Sequence, residues 1–295
     1  MKKIIILTPV YNDWKSVFKL LESIDLQIEK WDAEVSVMIV NDASTEERPK
    51  SETSFKNIKS IRVMNMIKNR GHARCYAAGL KYLNEKENFD YVIQMDGDGE
   101  DRPEELTSLF NKSNENPSKT VTLNRTKRSE GPWFKLLYEC HKILTYIFTG
   151  KLIKFGNYSC LPREHVSRLV KEACIWSSFS GSVTKIISDR ASIPSIRGKR
   201  YFGPSQMNLF NLLIHSFSII AVFRGTVIYR SVLFLFFYLF FVFNNISFIT
   251  LFPALIVFVF LLLILKVSYR ENLNELNKSL DNIKNFDVLS SLNSR

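Results

Sequence analysis

Apolar-rich runs alternate with amphipathic stretches up to about residue 130. Residues 3–8, 35–40, 61–66, 89–94 and 120–123 read as strands, the apolar ones as strands buried on both faces. Between the first two, Val17, Leu20, Leu21, Ile24 and Ile28 recur at helical spacing, and Tyr76, Leu80 and Leu83 do so again further on. A helix is expected from Pro103 to about Ser113, with the proline at its first position. Beyond it the pattern predicts a helix over 133–149, an extended piece over 156–161, a helix opened by Pro162 and a strand over 192–196. Strands alternating with helices predict an α/β fold, a mostly parallel sheet with helices on both faces. Ligands of such sheets bind beyond the carboxyl ends of the strands.

The pattern then changes. Residues 206–223 carry Leu209, Leu212, Leu213, Phe217 and Ile220 along one side, as expected of a helix lying at a membrane surface. From Ser231 to Leu265 there are 35 residues without a charge. One helix of that length would span roughly 52 Å, against a hydrocarbon layer of roughly 30 Å. Two short spans fit better, over about 229–243 and 248–265, broken at Asn244-Asn245, with Pro253 favouring a new start or a kink. Arg224 and Arg230 before the run, and Lys266 and Arg270 after it, place both ends in the cytoplasm. The tail has Leu273, Leu276, Leu280 and Ile283 at three-four spacing and reads as an amphipathic surface helix, with a homo-oligomer as one use for it. The expected division is a cytoplasmic catalytic domain over 1–203, a juxtamembrane amphipathic helix over 204–228, two transmembrane helices over 229–267 and a cytoplasmic tail over 268–295.

Charge and cysteine usage narrow the picture. A formal net charge of +11 suits an anionic partner. No zinc-finger spacing or nucleic-acid signature accompanies it, so phosphate-bearing substrates and a membrane surface are the partners expected. Cys75, Cys140, Cys160 and Cys174 are scattered, as reduced cytosolic thiols would be. The apolar run at the N-terminus is too short for a signal peptide and reads as the first strand.

The candidate chemistry lies at strand ends. Asp96, Asp98 and Glu100 follow the fourth strand, where period-two spacing aims alternate side chains one way. They make either an acidic turn, since Asp-Gly pairs favour turns, or a site for a hard divalent cation. Asn12, Asp42 and Asn69 fall at the ends of neighbouring strands and share that rim. No GxGxxG follows strand one, which excludes a Rossmann dinucleotide site. Two basic, glycine-containing loops follow, 124–131 and 197–203; each is either a solvated surface loop or a phosphate clamp.

Four stretches in order resemble the motifs of family 2 glycosyltransferases of GT-A fold. Thr8-Pro9-Val10-Tyr11-Asn12-Asp13 resembles "PxYNE", and Val40-Asn41-Asp42-Ala43-Ser44 resembles "VDDGS". Asn69-Arg70-Gly71 with Ala78-Gly79 resembles "NxGxxxAxxxG", and Gln94–Glu105 resembles "DADLQDPPE". With two spans behind the catalytic domain, the chain is most similar to polyprenyl-phosphate glycosyltransferases of the dolichol-phosphate mannose synthase kind. The resemblance implies that Pro9, Tyr11 and Asp13 shape the nucleotide pocket and that Asp42 contacts base or ribose. It implies that Asp96, Asp98 and Glu100 hold Mg2+ or Mn2+ and through it the donor, that Arg125 and Arg128 neutralise the diphosphate, and that Arg200 with Arg197 grips an acceptor phosphate. Asn41 replaces an acid, Glu100 a glutamine, Ser159 an arginine and Gln206 a lysine of the family pattern.

The activity expected is therefore metal-dependent, inverting transfer of a sugar from a nucleotide-sugar donor to a polyprenyl phosphate by an integral membrane protein. A hydroxyl of a lipid-linked glycan is the alternative acceptor, with Glu164 or Asp101 as candidate bases. A non-catalytic membrane scaffold is the alternative of another class.

Overall fold

The computed structural model describes residues 1–49, 54–127, 132–204 and 209–291. Its centre is an eight-stranded sheet in the order β7-β5-β6-β4-β1-β2-β3-β8. The strands are β1 (Lys2–Val10), β2 (Ala33–Asn41), β3 (Ile58–Met66), β4 (Tyr91–Gln94), β5 (Thr120–Lys127), β6 (Phe155–Pro162), β7 (Arg190–Ile196) and β8 (Ile283–Ser291). β1, β2, β3 and β4 pair in parallel, as do β5 and β7. β6 runs antiparallel between β4 and β5, and β8 antiparallel on the edge of β3.

Both faces of the sheet are covered, which is why its inner strands are apolar at successive positions. Ile4 and Ile6 join Val17 and Leu20 of α1 (Trp14–Gln27) and Leu106 and Leu109 of α3 (Leu106–Glu115) in one core layer. Ile5 and Leu7 join Tyr76 and Leu80 of α2 (His72–Lys86), Val166 of α5 (Arg163–Leu169) and Phe179 of α6 (Phe179–Ile186) in the other. Gly79 lets α2 approach the sheet, since a Cβ there would lie 2.8 Å from Leu7. A 3-10 turn over Pro103–Glu105 precedes α3, and another over Ala173–Trp176 precedes α6. The sequence pattern did not single out α6.

Four helices form a second, apolar assembly: α4 (Pro132–Thr149), α7 (Leu209–Ala221), α8 (Arg224–Val242) and α9 (Phe248–Ser268). The helix expected from Gln206 is described from Leu209 onward. α8 and α9 are long and apolar enough to cross a membrane, and their most apolar stretches are only 11% and 17% buried, unlike the core helix of a soluble protein. They meet at Asn244–Asn245, and Ser247 caps α9 through a capping box with Thr250. Pro253 lies inside α9 rather than at its start. Phe148 of α4 stacks on Phe260 of α9, with ring centroids 4.4 Å apart. Arg230 of α8 donates to the carbonyls of Tyr146 (3.2 Å) and Ile147 (2.7 Å), satisfying the end of α4 with a cation.

The tail departs from its expected helix. Only α10 (Leu273–Asn277) and a 3-10 turn over Ser279–Asn282 are helical; the chain then becomes β8. Leu276 is fully buried in the second core layer, whereas Leu273 is 43% exposed, so the four apolar positions do not share one stripe. The reason lies on β3, whose outer N–H and C=O groups would stand unpaired without β8. Asn285 and Asp287 of β8 accept from the Asn65 side-chain amide at 2.9 Å each, and Phe286 stacks on Tyr82 from the other face at 4.8 Å. The catalytic unit therefore includes residues 283–291 as well as the N-terminal part of the chain.

Candidate active site

The carboxyl ends of β1, β2 and β4 bring the motif residues to one rim. Asn12 sits in left-handed backbone (φ 49°), and its side-chain oxygen accepts from the backbone N–H groups of Thr45 and Glu46. This ties the loop after β1 to the loop after β2. Asp42 is buried, and its two oxygens accept from the N–H groups of Arg70 and Gly71 at 2.8 Å each. Its carboxylate thus fixes the Asn69-Arg70-Gly71 loop. Asn41 donates to Asn65 at 2.9 Å, which then reaches β8. An acid in place of Asn41 could not donate, which accounts for that departure from the family pattern.

The three acids after β4 do not converge on one point. Asp96 turns inward. Its Oδ1 meets His72 Nε2 at 2.9 Å, the Tyr76 hydroxyl at 2.9 Å and Asn157 Nδ2 at 3.2 Å. Asp98 meets Arg200 Nη1 at 2.5 Å, and Arg200 also holds Asp13 at 2.7 Å. Glu100 pairs with Arg197. The loop carrying both arginines docks on the acidic loop through its backbone: Gly198 N–H donates to the Glu100 carbonyl and Tyr201 N–H to the Asp98 carbonyl, both at 2.8 Å. A Cβ on Gly198 would stand 2.4 Å from the Gly99 carbonyl oxygen, and Gly99 itself has φ +90° under the Tyr201 ring. The arginines expected at the acceptor phosphate and the carboxylates expected at the metal are therefore in direct contact.

Arg125 lies behind them. Its guanidinium is 3.4 Å from Asp101, which also accepts the Asp96 backbone N–H at 2.9 Å. Asp101 is buried in this structural role. Glu164 begins α5 beyond Pro162, and Pro162 pairs with Tyr91, at the end of β4 opposite the rim. Neither of the candidate bases is presented to an acceptor. Pro9 is buried at the rim and Tyr11 is 44% exposed beside it. Arg128 and Gln206 lie outside the described residues.

The electrostatics follow from crowding. Burial, then the charges of Asp96 and Glu100, push Asp98 up to about 6; burial, then the charge of Asp96, push Asp101 up to about 7. Burial would raise Asp96 too, but the charge and hydrogen bond of His72, with Arg125 beyond, hold it well below the carboxylate range. His72 rises in return, against the effect of its own burial. His215 of α7 is lowered to about 4 by burial and by the charges of His72 and His141. His72, Tyr76, His141 and His215 were not candidates from the sequence. His72 stood in a recognised motif, but nothing in the spacing showed that it would turn toward Asp96.

Among the described residues no group of three or more acidic, histidine or cysteine side chains is arranged to enclose a metal. The rim nonetheless fits a hard cation by charge. Asp13, Asp96, Asp98, Glu100 and Asp101 face Arg125, Arg197, Arg200 and His72, and Asp98 and Asp101 are raised by burial first and by neighbouring carboxylates second. Oxygen donors of this kind suit Mg2+ or Mn2+.

The sheet, with carboxylates and arginines gathered at the ends of its parallel strands, has the GT-A fold. The chain belongs to glycosyl transferase family 2, whose model matches residues 5–176. An undecaprenyl-phosphate 4-deoxy-4-formamido-L-arabinose transferase of Klebsiella pneumoniae is 25% identical over 222 residues, covering 72% of this chain and 66% of that protein. This chain thus spans slightly under two thirds of that relative's length. Among solved structures, a glucosyl-3-phosphoglycerate synthase of Mycobacterium tuberculosis, in complex with Mn2+, UDP-glucose and phosphoglyceric acid, superposes with TM-score 0.53 at 14% identity, covering 77% of this chain and 80% of that one. A mannosyl-3-phosphoglycerate synthase of Rubrobacter xylanophilus superposes with TM-score 0.54 at 14% identity, covering 75% and 72%. At that identity the likeness concerns the fold.

Proposed function

We propose that this chain is a membrane-anchored, inverting glycosyltransferase that moves a sugar from a nucleotide-sugar donor to a polyprenyl phosphate. One observation carries the reading: α7, the helix that leads into the apolar hairpin, packs against α6 of the catalytic unit and against α9 of the hairpin. Catalytic unit and hairpin are thus held together, which lets a lipid headgroup at the membrane surface reach a nucleotide sugar. The named relative, an undecaprenyl-phosphate transferase, supports the acceptor class. α8 and α9 cross the membrane as a hairpin, and the basic residues at both ends keep the catalytic domain and termini in the cytoplasm. α4 lies along the membrane with α7, since Ile143, Tyr146 and Ile147 are each more than half exposed.

Asp96, Asp98 and Glu100 would hold a divalent cation, which would supply positive charge to a departing diphosphate. Arg125 and Arg128 add charge-assisted hydrogen bonds to the same group. Arg197 and Arg200 exchange their carboxylate partners for substrate phosphates. Pro9, Tyr11 and Asp13 shape the nucleotide pocket, and Asp42 holds its wall. A phosphate acceptor is already ionised and needs no general base. This agrees with an amide, Asn157, on the acceptor side of Asp96 and with the absence of a presented carboxylate there among the described residues.

The test is incubation of the membrane-embedded protein with labelled nucleotide sugars and polyprenyl phosphate. An acid-labile, solvent-extractable product that needs Mg2+ or Mn2+ is expected. Transfer to a lipid-linked saccharide alone would replace the acceptor with a glycan hydroxyl. No turnover by folded protein with any donor would leave a scaffold.

A further inference from the structure

A second group of cations lies away from the acidic loop, between the first turn of α2 and the segment that follows α9. The chain leaves α9 at Ser268 and turns through Tyr269 and Arg270, the Arg270 N–H donating to the Val267 carbonyl at 3.0 Å. Arg224, which opens α8, pairs with Glu271 at 3.7 Å, so the two charged ends of the hairpin lie at one level. Arg74 reaches the same place from the first turn of α2. Its guanidinium lies over the Trp176 ring at 5.5 Å, and one nitrogen approaches the Arg70 carbonyl at 3.5 Å.

These cations are poorly answered. Among the described residues Glu275 is the one carboxylate paired with Arg74, at a loose 3.8 Å, and it also accepts the Trp176 indole N–H at 2.8 Å. The guanidiniums of Arg70 and Arg270 have no acidic partner among the described residues. The Nε atoms of Arg74 and Arg270 are shielded from solvent and have no acceptor. A buried donor left without an acceptor is costly, so the group is arranged for an anion. Arg74 shows the strain: burial first, then the charges of Arg270 and Arg70, lower its pKa against the opposing Glu275 and Asp42.

We propose that Arg70, Arg74 and Arg270 form a binding site for the phosphate of an anionic bilayer phospholipid, seated between the first turn of α2 and the segment that leaves the membrane hairpin. The bilayer is the source because the cluster stands at the level of the hairpin's charged ends, where headgroup phosphates lie. A bound phosphate would tie α2, whose first turn carries His72 to Asp96, to the membrane surface. The inference rests on α8 and α9 crossing the membrane.

The experiment uses the full chain extracted from membranes and reconstituted with phosphatidylglycerol in phosphatidylcholine, with retained lipid measured by native mass spectrometry. Wild type should retain phosphatidylglycerol. R70Q and R270Q should each weaken retention about fivefold, the worth of one cation near an anionic surface. R270K should stay within about twofold of wild type, and K266Q, which removes an exposed cation of α9 outside the cluster, should change nothing. An equal fall in K266Q would mean diffuse attraction and overturn the site, as would full retention in the R70Q/R270Q double variant. Polyprenyl phosphate displacing phosphatidylglycerol in wild type but not in R270Q would make this an acceptor site and overturn the lipid assignment. Complete displacement by inorganic phosphate would reduce it to a general anion pocket. Carbonate-resistant membrane association of every variant reads the membrane anchor separately, so its loss and the loss of lipid retention are distinguishable.

Discussion

The acidic rim and the C-terminal tail lie at opposite extremes of how a chain encodes structure. The rim is built from segments whose geometry is local: a strand end, a Gly-containing turn, a helix start. Gln94–Glu105 carries its own instructions for a strand end, a turn and a helix start, though Asp96, Asp98 and Glu100 lie beyond the strand and turn to different partners. The tail has a helical pattern over Leu273, Leu276, Leu280 and Ile283, yet most of it becomes turn and strand. Its conformation is set by β3, more than 200 residues earlier, whose edge it closes. Local pattern prevails where nothing competes with it, and yields where an open sheet edge offers a ladder of hydrogen bonds.

The comparison is broken most severely at the rim. Asp98→Asn should lower the transfer rate by at least about 100-fold, the scale of removing one electrostatic partner of a developing charge. Thermal unfolding should stay near wild type; near-normal rates would remove Asp98 from the chemistry. In the tail, the buried and exposed leucines should separate. Leu276→Ala should destabilise by about 2–5 kcal/mol, while Leu273→Ala should stay within about 0.5 kcal/mol. Denaturant titration of the detergent-solubilised protein reads both. Equal losses would restore the continuous helical stripe and undo the contrast.

Two smaller effects sharpen it. Tyr76→Phe removes one of three donors from Asp96 and should slow transfer about tenfold, about the worth of a hydrogen bond to a charged group. Steady-state kinetics with the fold checked by circular dichroism would show it, and an unchanged rate would make that hydrogen bond dispensable. At the tail, hydrogen bonds from Arg48 and Asn65 hold Asp287 below the usual carboxylate range. A depressed carboxylate contributes in full above its unfolded value, near 3.9, and loses that contribution as pH falls through its folded value. The pair is about one third exposed, so the effect should not exceed about 1 kcal/mol. Asp287→Asn should therefore lose stability relative to wild type at pH 6, with the gap closing below pH 4. A gap independent of pH would assign the loss to packing.

Much of the site was legible in the chain. The order of strands and helices, the shared rim of Asn12, Asp42 and the acidic loop, and the apolar hairpin all follow from spacing and composition, because each is an economy of burial along a local segment. The partnerships within the rim were not legible. Arg197 and Arg200 stood in a separate basic loop, and only the backbone pairing of Gly198 and Tyr201 with the acidic loop brings them to Glu100, Asp98 and Asp13. Asp42 was visible as a motif residue, but its hydrogen bonds to Arg70 and Gly71 needed two strand ends side by side.

The acidic turn, the parallel strands that display it and the two apolar helices were thus determined by the sequence itself, through period, propensity and charge. The pairing of carboxylates with arginines, the turning of His72 and Tyr76 toward Asp96 and the conversion of the tail into β8 were decided only by the tertiary structure. Each depends on groups far apart in the chain meeting where water is excluded, and there an unpaired charge or an unpaired backbone group is too costly to leave alone.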